Sequence, residues 1–226
     1  MPFPQVFPRP IHAVVFDMDG LLIDTEVGWR DAMIHVAAAQ GRELTLATFQ
    51  SIVGTPAAHT RQVLLATFGE DFDVETYLAA AAARFHAVVD TENLLKTGAL
   101  ELLDFLEAHG IPKAIATSSQ HASVQTHLGP GGVAARFQAI IASGDYAKGK
   151  PAPDPFLTAA KALGVAPELC LALEDSHNGV RAAHAAGMMT VMVPDILEPT
   201  EEMHDKCVHI AESLHHVREL VEQSRG

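Results

Sequence analysis

The sequence predicts an α/β fold, a doubly wound, Rossmann-like parallel sheet with an all-helical cap inserted after the first strand. Three observations carry this. Ala13-Val14-Val15-Phe16 is an apolar run closed by Asp17-Met18-Asp19-Gly20, as expected of a buried strand that stops at a polar edge. From Thr45 to Asp90 the pattern stays helical and alanine-rich, without a strand signal. From Thr97-Gly98 onward, helical segments alternate with short β-branched or apolar runs, the pattern of a parallel sheet covered by helices. The expected core is residues 1–23 with 94–226, and the expected cap is residues 24–93.

In chain order, Ile11 to Asp17 is the first strand. Asp24-Thr25-Glu26 offers an N-cap to a helix over Val27 to Gln40, with Trp29, Met33, Val36 and Ala37 at helical spacing and Gly41 as its stop. The helical pattern from Thr45 to Asp90 breaks at Gly54-Thr55-Pro56 and at Gly69-Glu70-Asp71. Helices then come over Ala99 to His109, His121 to Leu128, Asp154 to Leu163 and Gly179 to Ala186. Strands alternate with them over Pro112 to Thr117, Phe137 to Ala142, Leu169 to Leu173 and Met188 to Val193. Hinges between the two parts are expected at Leu21 to Glu26 and at Asn93 to Gly98.

Composition narrows the function. A chain of 226 residues with 48% hydrophobic and 19% charged residues is a folded globular protein. No apolar run approaches the ~18 to 20 residues of a membrane span, and the proline-rich leader lacks the pattern of a signal peptide, so a cytoplasmic protein without a membrane partner is expected. A net charge of −13 argues against a nucleic-acid partner, which clustered Lys and Arg would have to hold. Cys170 and Cys207 have no metal-ligand spacing, and the 13 histidines show no zinc pattern.

In open parallel sheets ligands bind beyond the carboxyl ends of the strands, so the residues just past each strand matter most. The first strand ends in Asp17 and Asp19, which repel and are desolvated unless a proton or a divalent cation relieves them. With Mg2+ present, Asp17 can attack a phosphoryl group and Asp19 can protonate the leaving oxygen. The next strands end in Thr117-Ser118-Ser119, a hydroxyl cluster opening a helix, and in a loop that leads to Lys148-Gly149-Lys150-Pro151. The fourth ends in Glu174-Asp175-Ser176. Each piece also has a plain structural reading: an Asp-Gly turn, a Thr or Ser N-cap, a solvated loop lysine, a pair of carboxylates at a helix start. Their occurrence together on one edge favours chemistry.

These four stretches resemble the four motifs of the haloacid dehalogenase-like superfamily, in its β-phosphoglucomutase-like and sugar-phosphate phosphatase branch with a helical cap. The motifs are Asp-x-Asp-Gly with Asp-Thr-Glu, Ala-Thr-Ser-Ser, Gly-Lys-Pro-x-Pro-Asp and Glu-Asp-Ser-x-x-Gly, and the resemblance spans Ile11 to about Ala211. It implies Asp17 as nucleophile and Asp19 as general acid and base, with Thr117 and the Ser118 N–H on the phosphoryl oxygens. It further implies Lys150, rather than Lys148, as the neutralising cation. Mg2+ would be held by Asp17, the Asp19 carbonyl and Asp175, with Glu174 as a ligand or close behind. The implied substrate is a small phosphorylated metabolite, a sugar phosphate or nucleoside monophosphate, and the implied assembly a monomer or weak homodimer.

The cap decides what is bound. A β-phosphoglucomutase carries a proton-shuttling histidine on the first cap helix where this chain has Trp29, whose indole cannot shuttle that proton but can stack on a sugar or base. A phosphatase is therefore expected, with a phosphosugar mutase as the rival. Trp29, Arg61 and Arg84 are the candidate cap contacts to substrate, against the plain readings of core packing and solvated arginines. Asp19 disfavours dehalogenation. A non-catalytic phospho-acceptor domain is disfavoured by an acceptor placed right after the first strand, and by the inserted cap.

Overall fold

A computed structural model describes residues 6–89 and 94–225. Asp90, at the end of the expected cap helices, Asn93, at the expected second hinge, and Pro2 to Gln5 of the leader lie outside the described residues. The chain divides into two compact units, Met1–Ile23 with Leu95–Gly226, and Asp24–Leu94.

The first unit is built on a parallel six-stranded sheet. Its strands are β1 (Ala13–Phe16), β2 (Lys113–Ala116), β3 (Ala139–Ile141), β4 (Cys170–Glu174), β5 (Met189–Met192) and β6 (His209–Ile210), in spatial order β3-β2-β1-β4-β5-β6. The connections run outward from β1 in one direction and then return to its other side, which opens a crevice at the carboxyl end of β1. Register fixes what meets there: Phe16 lies level with Ile115 on β2 and with Leu173 on β4. One residue further along, the strands deliver Asp17 beside Glu174, and β2 then leads into Thr117.

Helices α5 (Ala99–Ala108), α6 (His121–Leu128), α7 (Asp154–Leu163), α8 (His177–Ala185), α9 (Glu201–Lys206) and α10 (Leu214–Gln223) flank the sheet. The sheet side chains under α7 and α8 are small: Ala13, Val15, Ala114, Ala116, Cys170 and Ala172 pack with Ala159, Ala160, Ala182 and Ala183 around Phe156. Such small surfaces let helix backbones approach the sheet at interior packing density. On the opposite face of β2, Lys113 is 1% exposed and its ammonium meets Glu107 of α5 at 2.8 Å. Hydrogen bonds from Arg136, and then from Lys113, hold the Glu107 carboxyl down at about 2.

The observed elements of this unit differ from the sequence reading at several places. Helix α9, strand β6 and helix α10 come after the last expected strand; β6 has only two residues, too short to show a period of two. Helix α6 starts at His121 with no side-chain cap, so Thr117-Ser118-Ser119 is a loop before the helix and not its first turn. Ser176, accepting from Gly179 N at 3.1 Å, caps α8 in place of the carboxylates.

The second unit holds α1 (Thr25–Ala39), α2 (Leu46–Ile52), α3 (Ala57–Phe68) and α4 (Val74–Val89), with α1 packed on α4. Tyr77 of α4 is fully buried and donates to the Met33 carbonyl of α1 at 2.9 Å, which satisfies its hydroxyl inside the pair. Thr45 caps α2 by accepting from Thr48 N at 3.1 Å. Asp24 precedes α1 without a side-chain cap bond, contrary to the expected role. Among the described residues no helix is long and apolar enough to cross a membrane.

Candidate active site

At the carboxyl end of β1 and β4, Lys150 Nζ donates to Asp17 Oδ1 and to Glu174 Oε1, each at 2.5 Å. All three side chains are closed off from water, at 6%, 9% and 0% exposure. The lysine arrives from the loop before α7, and its ammonium also lies 5.1 Å from the centre of the Phe156 ring on that helix. Asp154, the first residue of α7, accepts from Lys148 N at 3.0 Å and closes the loop, while Lys148 itself is exposed. This is why the Gly-Lys-Pro-x-Pro-Asp spacing ends in aspartate.

Burial pushes the Asp17 carboxyl up to about 7 against the pull of Lys150, with Glu174 and Asp19 adding to the rise. Burial also works against the Lys150 charge, but Asp17 and Glu174 outweigh it and hold the ammonium above its ordinary range. The site is thus short of positive charge.

Carboxylate oxygens of Asp17, Glu174 and Asp175 lie within 4.8 Å of one another. An all-oxygen set suits a hard divalent cation, which would offset the burial and the neighbouring carboxylates that raise Asp17. Glu174 is already committed, with Oε1 on Lys150 and Oε2 accepting from Asp175 N at 3.2 Å and from Ser176 N at 3.3 Å. The fit therefore favours Asp17 and Asp175 as direct ligands, with Glu174 holding the lysine behind them.

Two glycines make room for these carboxylates. A Cβ on Gly20, whose φ is +82°, would fall 2.2 Å from Asp175 Oδ2, and one on Gly179 would fall 1.9 Å from the Glu174 carboxylate. Helix α8 thus seats its first turn directly against Glu174. Gly179→Ala is expected to destabilise the protein by about 1–3 kcal/mol through overpacking. It should also lower kcat by tenfold or more, on the order of what misplaced reacting groups cost. Thermal unfolding and steady-state rates would check both.

On β2's side, Ser119 Oγ donates to Asp19 Oδ2 at 2.7 Å and Thr117 Oγ1 to the same oxygen at 3.4 Å. Thr117 is 1% exposed, and its hydroxyl oxygen accepts from Ser119 N at 3.0 Å. Tyr146 donates to the Thr117 carbonyl at 3.1 Å. A trans peptide carries its C=O and N–H in opposite directions, so this contact orients the Ser118 N–H.

The structure thus brings Asp17, Asp19, Thr117, Lys150, Glu174 and Asp175 to one sheet edge, with Ser118 in the loop there. Ser119 and Tyr146 are contacts that the sequence reading did not single out; Ser119 lay inside the hydroxyl cluster, while nothing local marked Tyr146. Trp29, Arg61 and Arg84 belong to the second unit. There Trp29 meets Phe85 edge to face, with centroids 5.7 Å apart, Arg61 pairs with Glu75 at 2.6 Å, and Arg84 is exposed on α4.

A doubly wound sheet with a buried aspartate, a lysine and an acidic trio at its switch point suits chemistry on a phosphate ester. The profile of the family described as haloacid dehalogenase-like hydrolase matches residues 14–193, and the chain belongs to that family. It is 32% identical over 182 residues to the fructose-1-phosphate phosphatase YqaB of Escherichia coli, covering 80% of this chain and 95% of that one. Its fold is similar to that of CbbY from Rhodobacter sphaeroides in complex with phosphate, with TM-score 0.75, 27% identity, and 92% and 96% of the two chains covered. A β-phosphoglucomutase from Clostridium difficile is similar at TM-score 0.72 and 25% identity, over 94% and 98% of the chains. The chain is an enzyme, a phosphoric monoester hydrolase.

Proposed function

We propose that this protein is a Mg2+-dependent phosphatase that hydrolyses a small phosphate monoester, a sugar phosphate or nucleoside monophosphate, through an aspartyl phosphate on Asp17. The observation that carries the reading is the buried bridge of Lys150 between Asp17 and Glu174, with Asp19 held on the neighbouring hydroxyls. Asp17 attacks phosphorus in line with the leaving oxygen; an O–P bond forms as the ester O–P bond breaks, and Asp19 gives its proton to the departing oxygen. Water then attacks the phosphoaspartate, Asp19 takes a proton from it, and the Asp17–phosphorus bond breaks. The Thr117 hydroxyl and the Ser118 N–H hold the phosphoryl oxygens, and Lys150 offsets their charge. Asp17, the Asp19 carbonyl and Asp175 would hold Mg2+, which would supply the remaining positive charge.

Residues 24–93 are the cap in this reading and select the substrate, with Trp29 offering an aromatic face and Arg61 and Arg84 as candidate contacts. The name of the E. coli relative favours a sugar phosphate. We place the enzyme in the cytoplasm as a monomer or weak homodimer.

Phosphate release from sugar phosphates, nucleoside monophosphates and pseudouridine 5'-phosphate, with and without Mg2+, tests this. Mg2+-dependent release is expected. Interconversion of β-glucose 1-phosphate and glucose 6-phosphate without release would make the protein a mutase, and a stable phosphoaspartate without turnover would make it a phospho-acceptor.

A further inference from the structure

We propose that Ser119 is a positioning residue that aims the Asp19 carboxyl at the leaving oxygen as the phosphoenzyme forms. The inference rests on the proposed role of Asp19. Its basis is a hydroxyl placed by a frame that does not depend on Asp19. The Ser119 N–H is bound to Thr117 Oγ1 at 3.0 Å, and the Ser119 carbonyl accepts from Ser143 N at 2.8 Å, just past β3. Thr117 is tied down in turn: its N–H donates to the Ile141 carbonyl at 2.9 Å and its own carbonyl accepts from Tyr146. The backbone N–H and carbonyl of both Thr117 and Ser119 are thus bonded, and from there the Ser119 hydroxyl reaches Asp19 Oδ2 at 2.7 Å.

A hydroxyl suits this task for a chemical reason. The Ser119 hydroxyl can donate to Asp19 Oδ2 whether or not the carboxyl carries a proton, which leaves the other oxygen, Oδ1, to hold the proton for the leaving oxygen. A methyl group at this position would donate to neither form. Thr117, at 3.4 Å and with the proposed phosphoryl oxygens to serve, is too long a contact to replace it.

The test compares kcat/KM for an alkyl phosphate, whose leaving group needs a proton, with that for p-nitrophenyl phosphate, whose leaving group does not. This ratio reports the phosphoenzyme-forming step and is blind to the later hydrolysis. Ser119→Ala is expected to lose about tenfold or more on the alkyl ester but less than about threefold on the aryl ester. Ser119→Thr, which keeps the hydroxyl, is expected to restore most of the difference. Equal losses on both esters, or none on either, would overturn the inference. Asp19→Asn separates this from the underlying reading: if it too loses equally on both esters, Asp19 is not the acid, and the proposed mechanism falls with the inference. Should Asp19→Asn discriminate between the esters while Ser119→Ala does not, only the role of Ser119 is lost. Thermal unfolding of each variant keeps a folding defect from passing as either result.

Discussion

Asp17→Asn is expected to lose turnover by roughly ten-thousandfold or more, as removal of a nucleophile does elsewhere, while the metal-free protein becomes more stable. The two effects have one cause. Asp17 sits where burial, Glu174 and Asp19 all disfavour its charge, and Lys150 only partly offsets them, so its carboxyl is raised from 3.8 to about 7. A carboxyl raised on folding binds a proton in the folded chain that the unfolded chain has already released. Its contribution to stability is complete below about pH 4 and is lost as pH climbs through about 7. Asparagine resembles the protonated form, so the stabilising effect of the variant should be absent at pH 4 and grow to on the order of a few kcal/mol near pH 8. Unfolding midpoints of the two proteins across that range, in a chelator, would show it. A variant equally or less stable at pH 8 would mean that Asp17 is not a strained carboxylate. Divalent cation should shrink the difference by stabilising the ionised parent alone.

Lys150→Met is the second large effect, with the opposite sign for stability. The ammonium is the neutralising partner of two carboxylates that are almost wholly removed from water. Removing one partner of a buried ion pair costs about 3–5 kcal/mol, because the charge left behind is uncompensated. Here two are left behind. Part of that cost will be avoided by protonation of Asp17, so the deficit should be larger at pH 8 than at pH 5. Combining Lys150→Met with Asp17→Asn should recover part of the lost stability, since the pair is in direct contact and the two changes cannot be additive. Catalytic rate should stay lost in both. A Lys150→Met protein as stable as the parent at pH 8 would contradict the buried bridge itself.

How much of this site could be read in advance differs from residue to residue. Asp17, Thr117 and Glu174 were legible because each closes an apolar run, and the place where a run of buried residues ends is written within a few positions of the chain. Gly179 was visible as part of a motif, but its reason was not; only the folded chain shows that a Cβ there would strike the Glu174 carboxylate. Lys113 sat inside an expected strand, yet nothing local announced that an ammonium would be buried, since its partner Glu107 comes from the preceding helix. Asp24 and Thr117-Ser118-Ser119 had the composition of helix starts and took no such part, because these residue types serve caps and loops equally well.

By itself the sequence determined the alternation of helices and strands, the long helical insertion after the first strand, and which reactive residue types stand at the strand ends. Those are matters of local backbone preference and apolar periodicity. Tertiary structure alone decided the strand order that sets β1 between β2 and β4, and the register that puts Asp17 beside Glu174. It likewise decided the 2.5 Å bridge by a lysine 133 residues further along the chain, and the seat of Asp19 on Ser119. Strand pairing, and the desolvation that moves the Asp17 carboxyl, are sums over contacts between distant segments. No short stretch of chain contains them.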